Sequence, residues 1–249
     1  LVYISGSAGG DRGLDLTWVD RDGREESLDA ESGDYYEPYL SPDGSRVAVR
    51  IGDTGGDSSI HVYDIERNNF TQFTFDGAAE CCPVFTPDGE RIAFASNRSG
   101  TPNLYIKNAD GTGEVERLTD VNQLQFPNAW SPDGDSLVLS EGGDVFTLSV
   151  GSDGQAVPLV SSEFREHRAA LSPDGAWIAY ESNEDGDPDI YVRPFPDVED
   201  GKWKVSTRGG RFPIWGADSQ ELFYVAGRSL MFARVTTTPS FDAGNPEVL

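Results

Sequence analysis

Cysteine, histidine, methionine and lysine are all scarce in this chain of 249 residues. There are two cysteines, Cys81 and Cys82, side by side. With no third cysteine, a disulfide between distant segments, a disulfide framework and a zinc site built from Cys-x-x-Cys pairs are excluded. The two histidines, His61 and His167, are too far apart for a His-Glu-x-x-His zinc helix. The Gly-x-Ser-x-Gly signature of a serine nucleophile is absent. The Gly-rich stretch "GSAGGDRG" joins two strand-like segments, whereas a phosphate cradle needs a helix N-terminus, so it reads as a flexible loop. No apolar run approaches the length of a membrane span, so this segment does not insert in a bilayer. No signal peptide is visible, and the chain starts at Leu1 rather than Met, as a piece trimmed from something longer would. Positive charge is also short: the lysines are Lys107, Lys202 and Lys204, and the formal net charge is −24. A polyanion gains nothing from counterion release on another polyanion, which argues against nucleic acid and anionic membrane as partners. No motif calls for a cofactor.

Turn residues and strand formers are abundant. Gly at 28 and Pro at 15 imply many turns, and 11% aromatic residues suit strands. One theme recurs: "LSPDGSRVAV" from Leu40, "FTPDGERIAF" from Phe85, "WSPDGDSLVL" from Trp130 and "LSPDGAWIAY" from Leu171. The prolines Pro42, Pro87, Pro132 and Pro173 step by 45, 45 and 41 residues, and "WGADSQELFY" from Trp215 is a degraded fifth copy. In each copy a short strand leads into Pro-Asp-Gly. There Pro presets φ, Asp bonds its own backbone and Gly accepts a positive φ. A second strand follows with alternating apolar residues, Val47 and Val49 in the first copy, Ile178 and Tyr180 in the fourth. A polar loop, a third strand such as "DIYVRPFPD" and a weaker fourth such as "WKVSTR" complete the unit. No segment has helical periodicity over ten residues.

A period of 40 to 50 residues built from four short strands is the pattern of blades around an axis. The expected fold is therefore an all-β propeller in a single domain, residues 1–249. It should have six blades of four antiparallel strands, spanning about 1–33, 34–78, 79–123, 124–164, 165–207 and 208–249. The first blade lacks its inner strand, and a seventh blade would form if missing sequence added one.

The "SPDG" turn followed by "IAF" or "IAY" and then "DIYV" resembles the TolB-type propeller repeat over nearly the whole chain. The last part, from "SPDGAWIAYESNEDGDPDIYV" to "ELFYV", resembles the propeller sensor domains attached to bacterial serine/threonine kinases. The resemblance implies an extracytoplasmic module, periplasmic or at the cell surface, that binds rather than catalyses.

The innermost strand of a propeller blade lines the central channel. Aligned on the turn serine, the five copies place Tyr36 and Glu37, Cys81 and Cys82, Phe126 and Pro127, His167 and Arg168, and Arg211 and Phe212 at equivalent positions near the channel entrance. One residue earlier stand Tyr35, Glu80, Gln125 and Glu166. The candidate ligand-binding set is Tyr36, Glu37, Glu80, Cys81, Cys82, Phe126, Glu166, His167, Arg168 and Arg211. Two readings stay open. Either the ring is a polar pocket, or Glu37, Glu80 and Glu166 pair with Arg168 and Arg211 to satisfy a buried network. The acidic loops "SNEDGDPD" and "GDTGGDSS" lack the Glu at position twelve of a calcium loop and read as solvated hairpins.

The expected function is a non-catalytic binding module, a sensor or interaction scaffold for a protein partner or small molecule. The alternatives are a hydrolase or lyase acting on a peptide or sugar through Glu37, Glu80, Glu166 and His167, and a metal-binding propeller. Adjacent strand residues point to opposite faces, which sets the two cysteines against one shared ion, and Pro83 is expected to hold Cys82 extended. Reduced thiols, a vicinal disulfide and a ligand-contacting thiol are the three states considered for the pair.

Overall fold

The repeated turn is built by its own side chains. The Ser41 hydroxyl donates to Asp43 Oδ1 at 2.6 Å and accepts the Arg46 N–H at 2.9 Å. Asp43 Oδ1 also accepts the Ser45 N–H at 3.1 Å. One hydroxyl and one carboxylate thus satisfy the backbone of the bend, while Gly44, at φ +73°, turns the chain where a side chain would be strained. Thr86 with Asp88, Ser131 with Asp133 and Ser172 with Asp174 repeat the arrangement. In the degraded copy Asp218 still accepts the Gln220 N–H, and Ser219 takes the place of glycine at φ +59°. Its hydroxyl accepts the Asp174 N–H at 3.2 Å, tying that turn to the one before it.

A computed structural model describes residues 2–5, 14–28, 30, 33–52, 58–151, 154–238 and 240–249. The chain divides into two compact units, residues 1–127 and 128–249. The first unit begins with a three-stranded sheet, β1 (Val2–Ser5), β2 (Asp15–Val19) and β3 (Glu25–Ser27). Two four-stranded blades follow. One is β4 (Tyr35–Leu40), β5 (Arg46–Gly52), β6 (Ser58–Asp64) and β7 (Asn69–Gln72). The next is β8 (Glu80–Phe85), β9 (Arg91–Ser96), β10 (Asn103–Asn108) and β11 (Glu116–Arg117). The boundary between units falls inside β12 (Gln125–Trp130), the inner strand of a blade completed by β13 (Ser136–Glu141), β14 (Asp144–Ser149) and β15 (Val157–Val160). The fourth blade is β16 (Glu166–Leu171), β17 (Trp177–Ser182), β18 (Asp189–Pro194) and β19 (Trp203–Lys204). The last holds β20 (Arg211–Trp215), β21 (Glu221–Ala226) and β22 (Ser229–Thr236), with its outer edge divided between β23 (Asp242–Ala243) and β24 (Glu247–Val248). Among the described residues the single helical element is a 3-10 turn at Val198–Asp200.

The all-β propeller expectation holds, and the blade count does not. Among the described residues there are five blades of four strands, where six, or seven with added sequence, were expected. Residues 1–33 carry no copy of the turn, and their described residues form a sheet of three strands. "GSAGGDRG" and Asp53 and Asp57 of "GDTGGDSS" lie outside the described residues.

The second strands read as alternating in the sequence, yet they are buried on both faces. Val47, Ala48 and Val49 are all buried, and so is every residue of β17. The reason is sandwiching between neighbouring blades, which removes the solvent face that alternation presumes. Within the first unit Ala48, Ile60, Phe85, Ile92 and Tyr105 form one such core. Within the second, Trp177, Ile190, Trp215, Leu222 and Tyr224 form another.

Candidate functional site

Four of the five innermost strands break register at the same place. The ladder slips between Tyr36 and Tyr39, Cys81 and Val84, His167 and Ala170, and Arg211 and Ile214. At each slip two residues oppose one on the second strand, which is a β-bulge. The bulged residues Glu37, Cys82, Arg168 and Phe212 have φ of +54°, +58°, +51° and +57°. A left-handed conformation at a non-glycine residue costs roughly 1–3 kcal/mol. At three of the four it is offset by a hydrogen bond from the strained backbone to the blade before. Cys82 N–H donates to Glu37 Oε2 at 3.0 Å, Phe212 N–H to Glu181 Oε1 at 2.7 Å, and Arg168 N–H to Ser140 Oγ at 3.4 Å. In β12 the equivalent residue is Pro127, whose ring forbids a positive φ. There Asn128 and Ser140 take over: Asn128 Oδ1 accepts the Ser140 hydroxyl at 2.7 Å and the Ala169 N–H at 3.4 Å.

The bulge overturns two expectations about the cysteines. Pro83 does not hold Cys82 extended, because the bulge sets its φ at +58°. Nor do the two side chains point apart: their Sγ atoms lie 2.7 Å from each other, both half-buried and unbridged. Alternation of side chains requires an unbroken pleat, and the bulge interrupts it between them. The Glu37 carboxylate lies beside the pair, its donor atom and both sulfurs falling within 4.8 Å of one another. On its other side Arg50 Nε stands 3.8 Å from Glu37 Oε2, and the Arg50 guanidinium stacks over the Tyr36 ring at 4.5 Å. Burial and the neighbouring Cys81 and Glu37 push the Cys82 thiol up, the hydrogen bond to Cys81 being the largest contribution.

In the second unit the same positions gather around one carboxylate. Glu181, on β17, is fully buried. Its Oε2 lies 3.6 Å from Arg168 Nη1, 3.7 Å from His167 Nε2 and 3.9 Å from Arg211 Nη1, and accepts no hydrogen bond among the described residues. The Arg168 guanidinium stacks over the Phe212 ring at 4.3 Å. Burial pushes the Glu181 carboxyl up, against the Phe212 N–H and the two arginines. Burial, then Arg168, Arg165 and Arg211, push the His167 imidazole down to about 4, so it is neutral at pH 7. The Arg168 and Arg211 side chains remain 41% and 50% exposed.

The residue before each pair has a different surrounding. Glu80 is buried and paired with Arg98, which also holds Asp76 at 2.7 Å and stacks over Tyr105 at 4.8 Å. Gln125 Oε1 accepts the Thr119 hydroxyl, and Glu166 Oε1 the Ser162 hydroxyl at 2.6 Å. Burial raises both Glu80 and Glu166. Glu80 and Glu166 thus meet partners close to them in sequence, Arg98 and Ser162. Phe126 is half-buried beside Pro127. In the acidic loop, Glu184 pairs with Lys202, and Asp185 and Asp189 with Lys204.

Sequence reasoning missed Glu181 and Arg50. Both sit nine residues after the turn serine, and both pair directly across the ladder with a candidate residue, Glu181 with His167 and Arg50 with Tyr36. A charge inside an otherwise apolar second strand was the available signal.

The TolB beta propeller domain family model matches residues 19–173. The chain is 29% identical to the uncharacterized peptidase YuxL of Bacillus subtilis over 59% of its length, and 32% identical to the protein TolB homolog of Chlorobaculum tepidum over 45%. It spans 29% and 25% of the length of these two curated relatives. Its fold is similar to that of the crystal structure of TolB from Acinetobacter baumannii, with a TM-score of 0.75 at 20% identity over 99% of this chain and 64% of that one. With five turn-and-blade units of one design and a family match across most of them, the chain belongs to the TolB β-propeller domain family.

Proposed function

We propose that this chain is a non-catalytic binding module, and that Arg168 and Arg211 take a carboxylate from a protein partner or a small acidic molecule. The observation that carries the reading is the state of the two guanidiniums. They are half exposed, they stand 3.6 and 3.9 Å from a buried carboxylate, and neither hydrogen-bonds it among the described residues. Glu181 holds them in place by charge while their donors stay open to a planar, bidentate acceptor. Phe212, which is exposed and lies under the Arg168 guanidinium, gives the site apolar surface. On a chain of net charge −24, two arginines on one carboxylate are a local exception that an acidic ligand would select. His167 stays neutral here and contributes shape rather than charge. The reading places the module outside the cytoplasm, as the family resemblance implies, as a sensor or interaction scaffold.

The test is calorimetric titration of the chain with free dicarboxylates and with short peptides ending in a free carboxylate. Arg168→Ala and Arg211→Ala should each weaken binding about tenfold or more, about 1.4 kcal/mol per factor of ten, and added salt should weaken it further. Binding unchanged by both substitutions would remove the site. Turnover of a peptide or glycoside substrate that disappears in His167→Gln would replace the binding reading with a catalytic one.

A further inference from the structure

The cysteine pair lies in the first unit. Cys81 is the last residue of β8 paired with β9 before the bulge, opposite Ala95. Cys82 is the bulged residue, and its left-handed backbone swings its side chain to the same side as that of Cys81. Glu37 is the bulged residue of the blade before, brought to the same place by the same device. The Cys82 N–H donates to Glu37 Oε2 at 3.0 Å, which holds the carboxylate beside the sulfurs. Two thiols and a carboxylate therefore share one small volume, half-buried at the sulfurs and open at Glu37.

The surroundings fit a cation. Two sulfurs and a carboxylate oxygen within 4.8 Å of one another are a donor set that a single ion can span. Arg50 stands 3.8 Å from Glu37 Oε2 and stacks over the Tyr36 ring, so a cation already lies close to one oxygen of the carboxylate. Sulfur ligands choose soft ions such as zinc, cadmium or copper(I) over magnesium or calcium. Metal–sulfur bonds of about 2.3 Å require the sulfurs to draw apart from their present contact, and nothing bridges them to prevent it.

We propose that Glu37, Cys81 and Cys82 form a binding site for a soft, thiophilic metal ion, with the two sulfurs as a chelating pair and a Glu37 oxygen as the third donor. Each thiol that coordinates releases its proton to solvent, so affinity rises with pH. Three protein donors leave a fourth position for water or a ligand atom. The site shares no residue with Arg168, Arg211 or Glu181, so its fate and that of the carboxylate site are decided separately.

The test uses the full chain, reduced and free of oxygen. Cadmium(II) is titrated and followed by thiolate-to-metal charge-transfer absorption, with the stoichiometry counted by native mass spectrometry. One ion per chain is expected. Cys81→Ser and Cys82→Ser should each lower affinity at least a hundredfold and remove most of the absorption. Glu37→Gln should keep the absorption and lower affinity about tenfold, while far-UV circular dichroism verifies that each variant folds. Absence of a sulfur-to-metal band, or affinity untouched by either serine variant, overturns the proposal. Affinity unchanged in Glu37→Gln overturns the three-donor site.

Discussion

The backbone N–H of Phe212 meets Oε1 of Glu181 at 2.7 Å, and the same carboxylate's other oxygen faces His167, Arg168 and Arg211 without a hydrogen bond. One buried side chain thus fixes a strained bulge and sets the position of two exposed cations. Glu181→Ala should cost about 1–3 kcal/mol, the range for a buried polar group that loses its partner, and lower Tm by roughly 2–4 °C per kcal/mol. Glu181→Gln keeps an acceptor for Phe212 and should cost less than half as much. Thermal unfolding of the two variants measures the difference. Equal losses would show that the Phe212 contact is not what Glu181 contributes.

His167 makes stability depend on pH. The unfolded chain protonates this imidazole near 6.5, and the folded chain does so only near about 4. The unfolded state therefore binds more protons between those values, so stability is full above 6.5 and falls as pH drops toward about 4. His167→Gln should flatten the slope in that window. The turn aspartates act lower: Asp43, held down to about 2 by the Ser41 hydroxyl and the Ser45 N–H, contributes above 3.8 and loses its contribution as pH falls toward 2. Urea midpoints from pH 4 to 7 for wild type and variant test this, and identical slopes would contradict a neutral His167. A direct reading comes from the 15N shifts of the ring, which should remain those of neutral imidazole at pH 5.5.

Arg98 and Glu80 should be strongly coupled. Glu80 is buried, and burial raises its carboxyl against the opposing pull of the Thr74 hydroxyl and Arg98, so removing the guanidinium leaves a carboxyl with its charge uncompensated. Arg98→Ala should cost about 3–5 kcal/mol, as for one member of a buried pair. Glu80→Gln should cost less, and the double variant less than the sum of the two. A double-mutant cycle by chemical denaturation gives the coupling, and additivity within 0.5 kcal/mol, the usual behaviour of independent sites, would refute it.

Two glycines of the repeated turn separate strain from crowding. Gly44 and Gly175 have nearly equal φ, +73° and +70°, but a Cβ at Gly44 meets nothing within 4 Å, whereas at Gly175 it lies 3.0 Å from the Pro132 ring of the preceding turn. Gly44→Ala should cost about 1–2 kcal/mol from backbone strain alone, and Gly175→Ala distinctly more. A calorimetric ranking in the reverse order would show that the turns do not touch in the way described.

The repeat made most of the fold legible. Ser, Pro, Asp and Gly at fixed spacing are local chemistry, since each bonds within a few residues of itself, and so the turns, the strands after them and the blade unit can be read from the chain. The sequence also located Tyr36, Glu37, Cys81, Cys82, His167, Arg168 and Arg211 at one recurring position. It did not reveal that the four-stranded blades among the described residues number five, because strand count depends on which segment pairs across space. It did not reveal the bulge, which turns adjacent side chains from opposite faces to one side. The bulge is stabilised by acceptors 45 and 31 residues away, Glu37 for Cys82 and Glu181 for Phe212. Local propensity determined the blades of this protein. The partners of its charged and sulfur groups were decided only by tertiary packing, because a backbone conformation that is unfavourable alone becomes the stable one when a neighbouring blade supplies the missing hydrogen bond.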